Sequence, residues 1–108
     1  MRSKFDEQLL QLNTEIIKLG ALCENIIAMS AKALLEGDES LAAEVTELSG
    51  KIERKERDIE EMCLRLLLQQ QPVAGDLRVI SSALKMVTDM ERIGHQSADI
   101  ADILTSAH

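Results

Sequence analysis

The apolar residues of this chain recur at alternating steps of four and three, and no other feature constrains its fold as tightly. From Phe5 the run passes through Leu9, Leu12, Ile16, Leu19, Cys23 and Ile26. That spacing places them on one stripe of an α-helix, with the seam geometry of a coiled coil. The pattern resumes as Leu41, Val45, Leu48, Ile52, Ile59, Met62 and Leu66. It returns a third time in two adjacent rows. Leu77, Ile80, Leu84 and Val87 make one row, and Val79, Ala83, Met86, Met90, Ile93, Ile100 and Leu104 make the other. Two adjacent rows widen the apolar stripe enough to touch two neighbours.

Two short breaks divide these runs. Gly37-Asp38 ends the first, because glycine takes the left-handed conformation of a helix C-cap without steric cost. Pro72 ends the second, since its ring disfavours helix at the residue before it. Asp6 and Asp76 are the expected N-caps of the first and third helices. The predicted helices span about 6–36, about 40–70 and about 76–106. With connections so short they stack as an antiparallel, up-down-up, spectrin-like three-helix bundle. The expected fold is thus all-α, one domain over residues 1–108.

Composition agrees where it bears on the fold. Phe5 is the one aromatic residue in 108, too few for a sheet core, while 45% of the residues are hydrophobic, too many for a disordered chain. A net charge of −7 disfavours direct nucleic-acid binding, which needs a cationic surface. The start, Met1-Arg2-Ser3-Lys4-Phe5-Asp6-Glu7, turns acidic at once, and no apolar run approaches a membrane span of ~20 residues. A soluble cytoplasmic protein is expected. Cys23 and Cys63 each sit inside an apolar pattern and belong to no Cys-x-x-Cys, so both read as small buried hydrophobes. On the first helix, Leu10, Ile17, Ile27, Ala31 and Leu34 lie beside the main seam. They either widen the internal stripe or form an exposed face that pairs with another bundle.

No nucleophile elbow, glycine-rich phosphate loop or metalloprotease motif occurs, so hydrolysis and phosphoryl transfer are disfavoured and the expected role is not enzymatic. The polar residues that break the seams stand out instead. On the third helix Glu91, His95, Asp99 and Asp102 fall within an arc of about 80°, with Glu91 where an apolar residue is due. The second helix carries Glu53, Glu56 and Glu60, and its own seam is interrupted at Lys55 and Glu56. Carboxylates one turn apart repel unless a cation lies between them. Facing stripes of this kind suit a divalent or trivalent metal, with Glu91, His95, Asp99, Glu53 and Glu56 as candidate ligands. A solvated charged face answered by Arg54, Arg57 and Arg92 is the alternative. Gly94, inside a helix, marks close approach by another helix or a ligand. The corner at Gln70, Gln71, Asp76 and Arg78 is either a tight turn or a partner contact, since loops concentrate such contacts.

These motifs also carry a resemblance. Phe5-Asp6-Glu7-Gln8-Leu9 with Leu12-Asn13 comes first, and then Gln70-Gln71-Pro72-Val73-Ala74 with Asp76-Leu77-Arg78. Ala83-Leu84-Lys85 follows, with Asp89 and Glu91-Arg92-Ile93-Gly94 after it. In that order they resemble the PhoU family, and specifically the first of its two tandem repeats. The resemblance implies a cytoplasmic negative regulator of bacterial phosphate uptake and the phosphate-starvation response, peripheral to the inner face of the membrane through its partners. It implies an adaptor that links the ATPase and permease of a phosphate ABC transporter to a PhoR-type histidine kinase. It further implies acidic E/D-x-x-x-D motifs that hold iron, zinc or another metal ion. Glu91 begins such a motif, but His95 stands where the family has Asp, which shifts preference toward zinc or iron(II). Asp99 stands where the family commonly has Asn. The length implies a fragment of the two-repeat form, or two copies paired as a homodimer. A metal-binding helical module and a dimerisation domain of a phosphate or ion transporter are the competing readings.

Overall fold

The computed structural model describes residues 3–69 and 73–106, and these form three helices. They are α1 (Ser3–Glu36), α2 (Glu39–Gln69) and α3 (Ala74–Ser106). The bundle measures 59 × 17 × 16 Å. Its direction can be read from neighbours. Along α1 and α2, Gln8 and Gln11 lie beside Met62 and Leu66, Glu15 beside Lys55, and Met29 beside Glu44 and Leu48. Numbers that rise on one helix fall on the other, so the pair is antiparallel. Leu9 and Asn13 lie beside Val79 and Ser82, and Ile27 and Leu34 beside Ile93 and Ile100. The first and third helices therefore run parallel, as an up-down-up chain requires.

The seams of α1 and α2 bury as their spacing predicts. Leu12, Leu19, Ile26, Val45, Ile52, Ile59 and Cys63 are almost wholly enclosed. On α3 the two expected rows merge into one. Ile80, Ala83, Val87, Gly94, Ser97 and Ala101 are buried, while Leu77, Val79 and Met86 stand exposed. One residue turns the helix by ~100°, so a row centred on Ile80 and Val87 carries Val79 and Met86 outward. Among the described residues both cysteines are free and buried, and burial pushes both thiols up from their ordinary value. They are inert core side chains.

The starts of α1 and α3 come two to three residues earlier than expected. The first helix begins at Ser3, ahead of Asp6, because Phe5 buries itself in the core and draws its turn into helix. Asp6 sits in that first turn, where a carboxylate favours the positive end of the helix dipole. At the first break Gly37 adopts φ 63°, and the Asp38 amide donates to the Ala33 carbonyl at 3.1 Å, closing a Schellman turn. Asp38 then caps α2 by accepting from the Leu41 amide at 3.0 Å. Asp76 does not cap α3 from outside. It lies inside the first turn and accepts from the Val73 amide at 3.3 Å, the returning half of a capping box. Pro72, the expected stop, lies outside the described residues.

Gly94 explains how closely α2 and α3 approach. A Cβ there would meet Ile52 Cγ2 at 3.3 Å, and Ile52 is enclosed and unable to withdraw. The Ser49 hydroxyl also donates to the Gly94 carbonyl at 3.3 Å. The close approach is made by a helix. Gly50 differs, since its nearest neighbour is the mobile end of Arg54 at 3.6 Å. Gly50→Ala should therefore stabilise the fold by about 0.5–1 kcal/mol through helix propensity. Gly94→Ala should destabilise it by about 1 kcal/mol, overpacking outweighing propensity. Urea denaturation checks both, and equal stabilisation at the two positions would contradict the close contact.

Candidate functional site

The interruption of the α2 seam resolves into two ties to different helices. Lys55 turns to α1, where its ammonium pairs with the Glu15 carboxylate, and Lys18 joins the same group at 3.3 Å. These cations hold Glu15 below its ordinary value, the hydrogen bond from Lys55 being the largest cause. Glu56, one residue and ~100° further round, turns to α3. It is 2% exposed, about as enclosed as the core residues Leu12 and Ile52.

Glu56 meets Glu91 there, and Glu60 joins from the next turn of α2. The three carboxylates bring one oxygen each to within 4.8 Å of one another. Glu56 is buried, Glu91 half-buried and Glu60 exposed, so the trio opens to solvent on one side. Burial is the main cause that pushes Glu56 up to about 8, followed by the charge of Glu91 and a hydrogen bond shared with it. Glu60 and Glu53 add to the effect. Among the described residues the ion pairs engage Glu15, Glu53 and Glu61, and none engages the trio. A bound cation would supply the missing positive charge, and oxygen donors suit hard or borderline metals.

The expected ligands divide accordingly. Glu56 and Glu91 lie together. Glu53 is half-exposed and pairs with Arg57 at 3.9 Å, outside the trio. His95 is exposed one turn beyond Glu91, and the two line one shallow groove on α3. Asp99 is exposed a further turn away and is not in the trio. Glu60 was legible as part of the acidic group on α2. The signal that singles it out is its position one turn after Glu56, on the α3 side of the helix.

The corner residues separate in the same way. Gln70 and Gln71 lie outside the described residues. Asp76 is largely buried and occupied with the helix start. Arg78 is exposed and lies with Asn13, Val79, Ser82 and Met86 along a groove of about 430 Å³ between α1 and α3.

Fold and site together define a helical-bundle protein whose polar chemistry gathers at one interhelical carboxylate cluster. The family model for the PhoU domain matches residues 16–104. The chain is 39% identical over 98 residues to the phosphate-specific transport system accessory protein PhoU homolog of Pseudomonas putida, covering 91% of this chain and 38% of that protein. It is 37% identical over 102 residues to the homolog of Synechocystis sp., covering 94% and 46%. The accessory protein PhoU of Serratia marcescens is 32% identical over 99 residues, covering 92% and 39%. The chain spans less than half the length of these relatives. No solved structure matches it significantly. The chain belongs to the PhoU family.

The buried Glu56 carboxyl gives stability a definite pH dependence in metal-free protein. An unfolded glutamate titrates near ~4.3, whereas Glu56 in the fold titrates at about 8. Between those values the folded state holds the extra proton, so stability falls as pH rises from about 5 to about 8. Glu56→Gln cannot ionise and should flatten that slope, gaining on the order of a few kcal/mol over the parent at pH ~8 and little at pH ~5. Thermal unfolding followed across this range checks it. Parallel pH profiles for parent and variant would contradict the assignment.

Proposed function

We propose that this protein is an accessory regulator of phosphate transport that represses phosphate uptake and the phosphate-starvation response. It acts in the cytoplasm as a non-enzymatic adaptor between a phosphate ABC transporter and a sensor histidine kinase of the PhoR type. The match to the PhoU domain along nearly the whole bundle carries this reading, together with relatives named as accessory proteins of phosphate-specific transport. Three further features support it. Among the described residues no helix is long and apolar enough to cross a membrane, which fits a protein that reaches the transporter through contacts. Arg78 is exposed beside the corner, where a partner's acidic or polar group can reach it. The stiff bundle is a suitable scaffold for holding two partners at fixed separation.

Deleting the gene in its host should raise phosphatase expression in phosphate-replete medium, and restoring the chain should lower it again. Phosphatase expression unchanged by the deletion would overturn the reading.

A second reading concerns the carboxylates. Glu56, Glu60 and Glu91 are proposed to hold a divalent or trivalent metal such as iron or zinc, with His95 as a neighbouring imidazole. The support is a carboxyl raised by burial and then by its acidic neighbours, with no ion pair among the described residues to relieve it. A metal there would let all three carboxyls ionise together and would clamp α2 to α3. Protein purified without chelator should carry stoichiometric metal by elemental analysis, and Glu91→Ala should lose most of it. Metal content near zero in the parent, or unaltered by the substitution, would remove this reading.

A further inference from the structure

The groove between the N-terminal halves of α1 and α3 joins an apolar trough to a single cation. Its floor is Leu12, Ile16 and Ala83, all buried, and Leu9, Val79 and Met86 form its sides. At about 430 Å³ it lies within the range of small-molecule sites, roughly 300–1,000 Å³. It follows α3 from Gly75 to Met86, about 16 Å at ~1.5 Å per residue. Three side chains that donate hydrogen bonds stand along its rim, Arg78 and Ser82 on α3 and Asn13 on α1. No carboxylate lines the groove, and among the described residues no ion pair engages Arg78. In a chain of net charge −7 this is a local reversal of sign.

We propose that this groove binds a small amphiphile, an aliphatic chain of medium length that ends in one carboxylate. Charge complementarity sets the head group. The Arg78 guanidinium is a planar fork that matches the two oxygens of a carboxylate, and Asn13 and Ser82 supply donors for the lone pairs it leaves. One cation balances one negative charge, so a monoanion fits and a phosphate dianion is left half unpaired. The lining sets the tail. It holds aliphatic side chains and a thioether but no aromatic ring, so a flat ring system finds no stacking partner, while a flexible chain follows the trough. Met86 adapts its side of the trough to the chain through its unbranched, rotatable stem. Gly75 keeps the end beside Arg78 open, since a Cβ there would meet nothing within 4 Å. A trough of about 16 Å accepts a chain of decanoate length. Binding here depends neither on a role in phosphate regulation nor on a metal.

Methyl NMR of the purified chain, titrated with sodium decanoate, tests the proposal directly. The Leu9, Val79 and Met86 methyl signals should shift and saturate with a Kd of about 0.1–1 mM. Arg78→Gln should weaken binding about tenfold, and Ser82→Leu, which fills the trough, should abolish it. Both positions are exposed, so the helical circular dichroism of each variant should match the parent. Arg54→Gln, exposed on α2, should bind as the parent does. 1-Decanol, the same chain without the charge, should bind at least about tenfold more weakly, and inorganic phosphate should leave these methyls unmoved. Absence of a saturable shift up to about 5 mM decanoate would overturn the proposal. So would shifts spread evenly over the bundle, equal affinity for decanol, or binding unaltered by Arg78→Gln. Displacement of decanoate by inorganic phosphate would contradict the choice of head group. Neither phosphatase expression nor metal content enters this readout.

Discussion

The contact of Ile52 on Gly94 is the constraint from which the rest of the bundle follows. Three helices of some thirty residues, with Phe5 as the one aromatic side chain, share a narrow core. α2 and α3 must therefore come close, and the absent Cβ at position 94 is what lets Ile52 seat. One turn after Ile52 stands Glu56, and three residues before Gly94 stands Glu91. The close contact thus determines that two carboxyls meet. A wider spacing would leave each of them at the edge of water with its ordinary titration. The apolar contact that stabilises the rod is also what makes its acidic site unusual.

Much of this was legible in the spacing of residues. The four-and-three rhythm located α1 and α2 almost to their ends, because a coiled-coil-like seam admits few alternatives. The same rhythm made Glu56 and Glu91 conspicuous as polar residues where apolar ones were due. It could not tell that Lys55 and Glu56, adjacent in sequence, serve different neighbours, since that depends on which helix lies on which side. Nor could it choose Glu60 over Glu53. Both are one turn from Glu56 or nearly so, but only Glu60 lies on the side that faces α3. On α3 itself the period was read correctly and the width was not. Ile80 and Val87 take the buried row in the first half of the helix, which leaves Val79 and Met86, ~100° before each of them, outside.

The helix starts show a different limit. An aspartate near a predicted helix start reads as an N-cap, and both Asp6 and Asp76 proved to lie inside the first turn. At Asp6 the burial of Phe5 extends the helix beyond its local signal. At Asp76 the carboxylate satisfies the Val73 amide from within, a reciprocal bond that sequence alone does not distinguish from an ordinary cap. Tertiary packing and local hydrogen bonding decide such boundaries to within a turn. They leave the architecture and its three chemically distinct flanks unchanged. The carboxylates open between α2 and α3, and the acidic surface lies along α2. The apolar strip lies between α1 and α3.

The central claim is that a carboxyl at the α2–α3 contact is kept protonated near neutral pH by its burial first and by its acidic neighbours second. Carbon NMR of the Glu56 side-chain carboxyl, followed through a pH titration of metal-free protein, observes that group itself. A midpoint near 8 is the expected result. A midpoint near the ordinary glutamate value of ~4.3 would contradict it and return Glu56 to the status of a solvated surface charge.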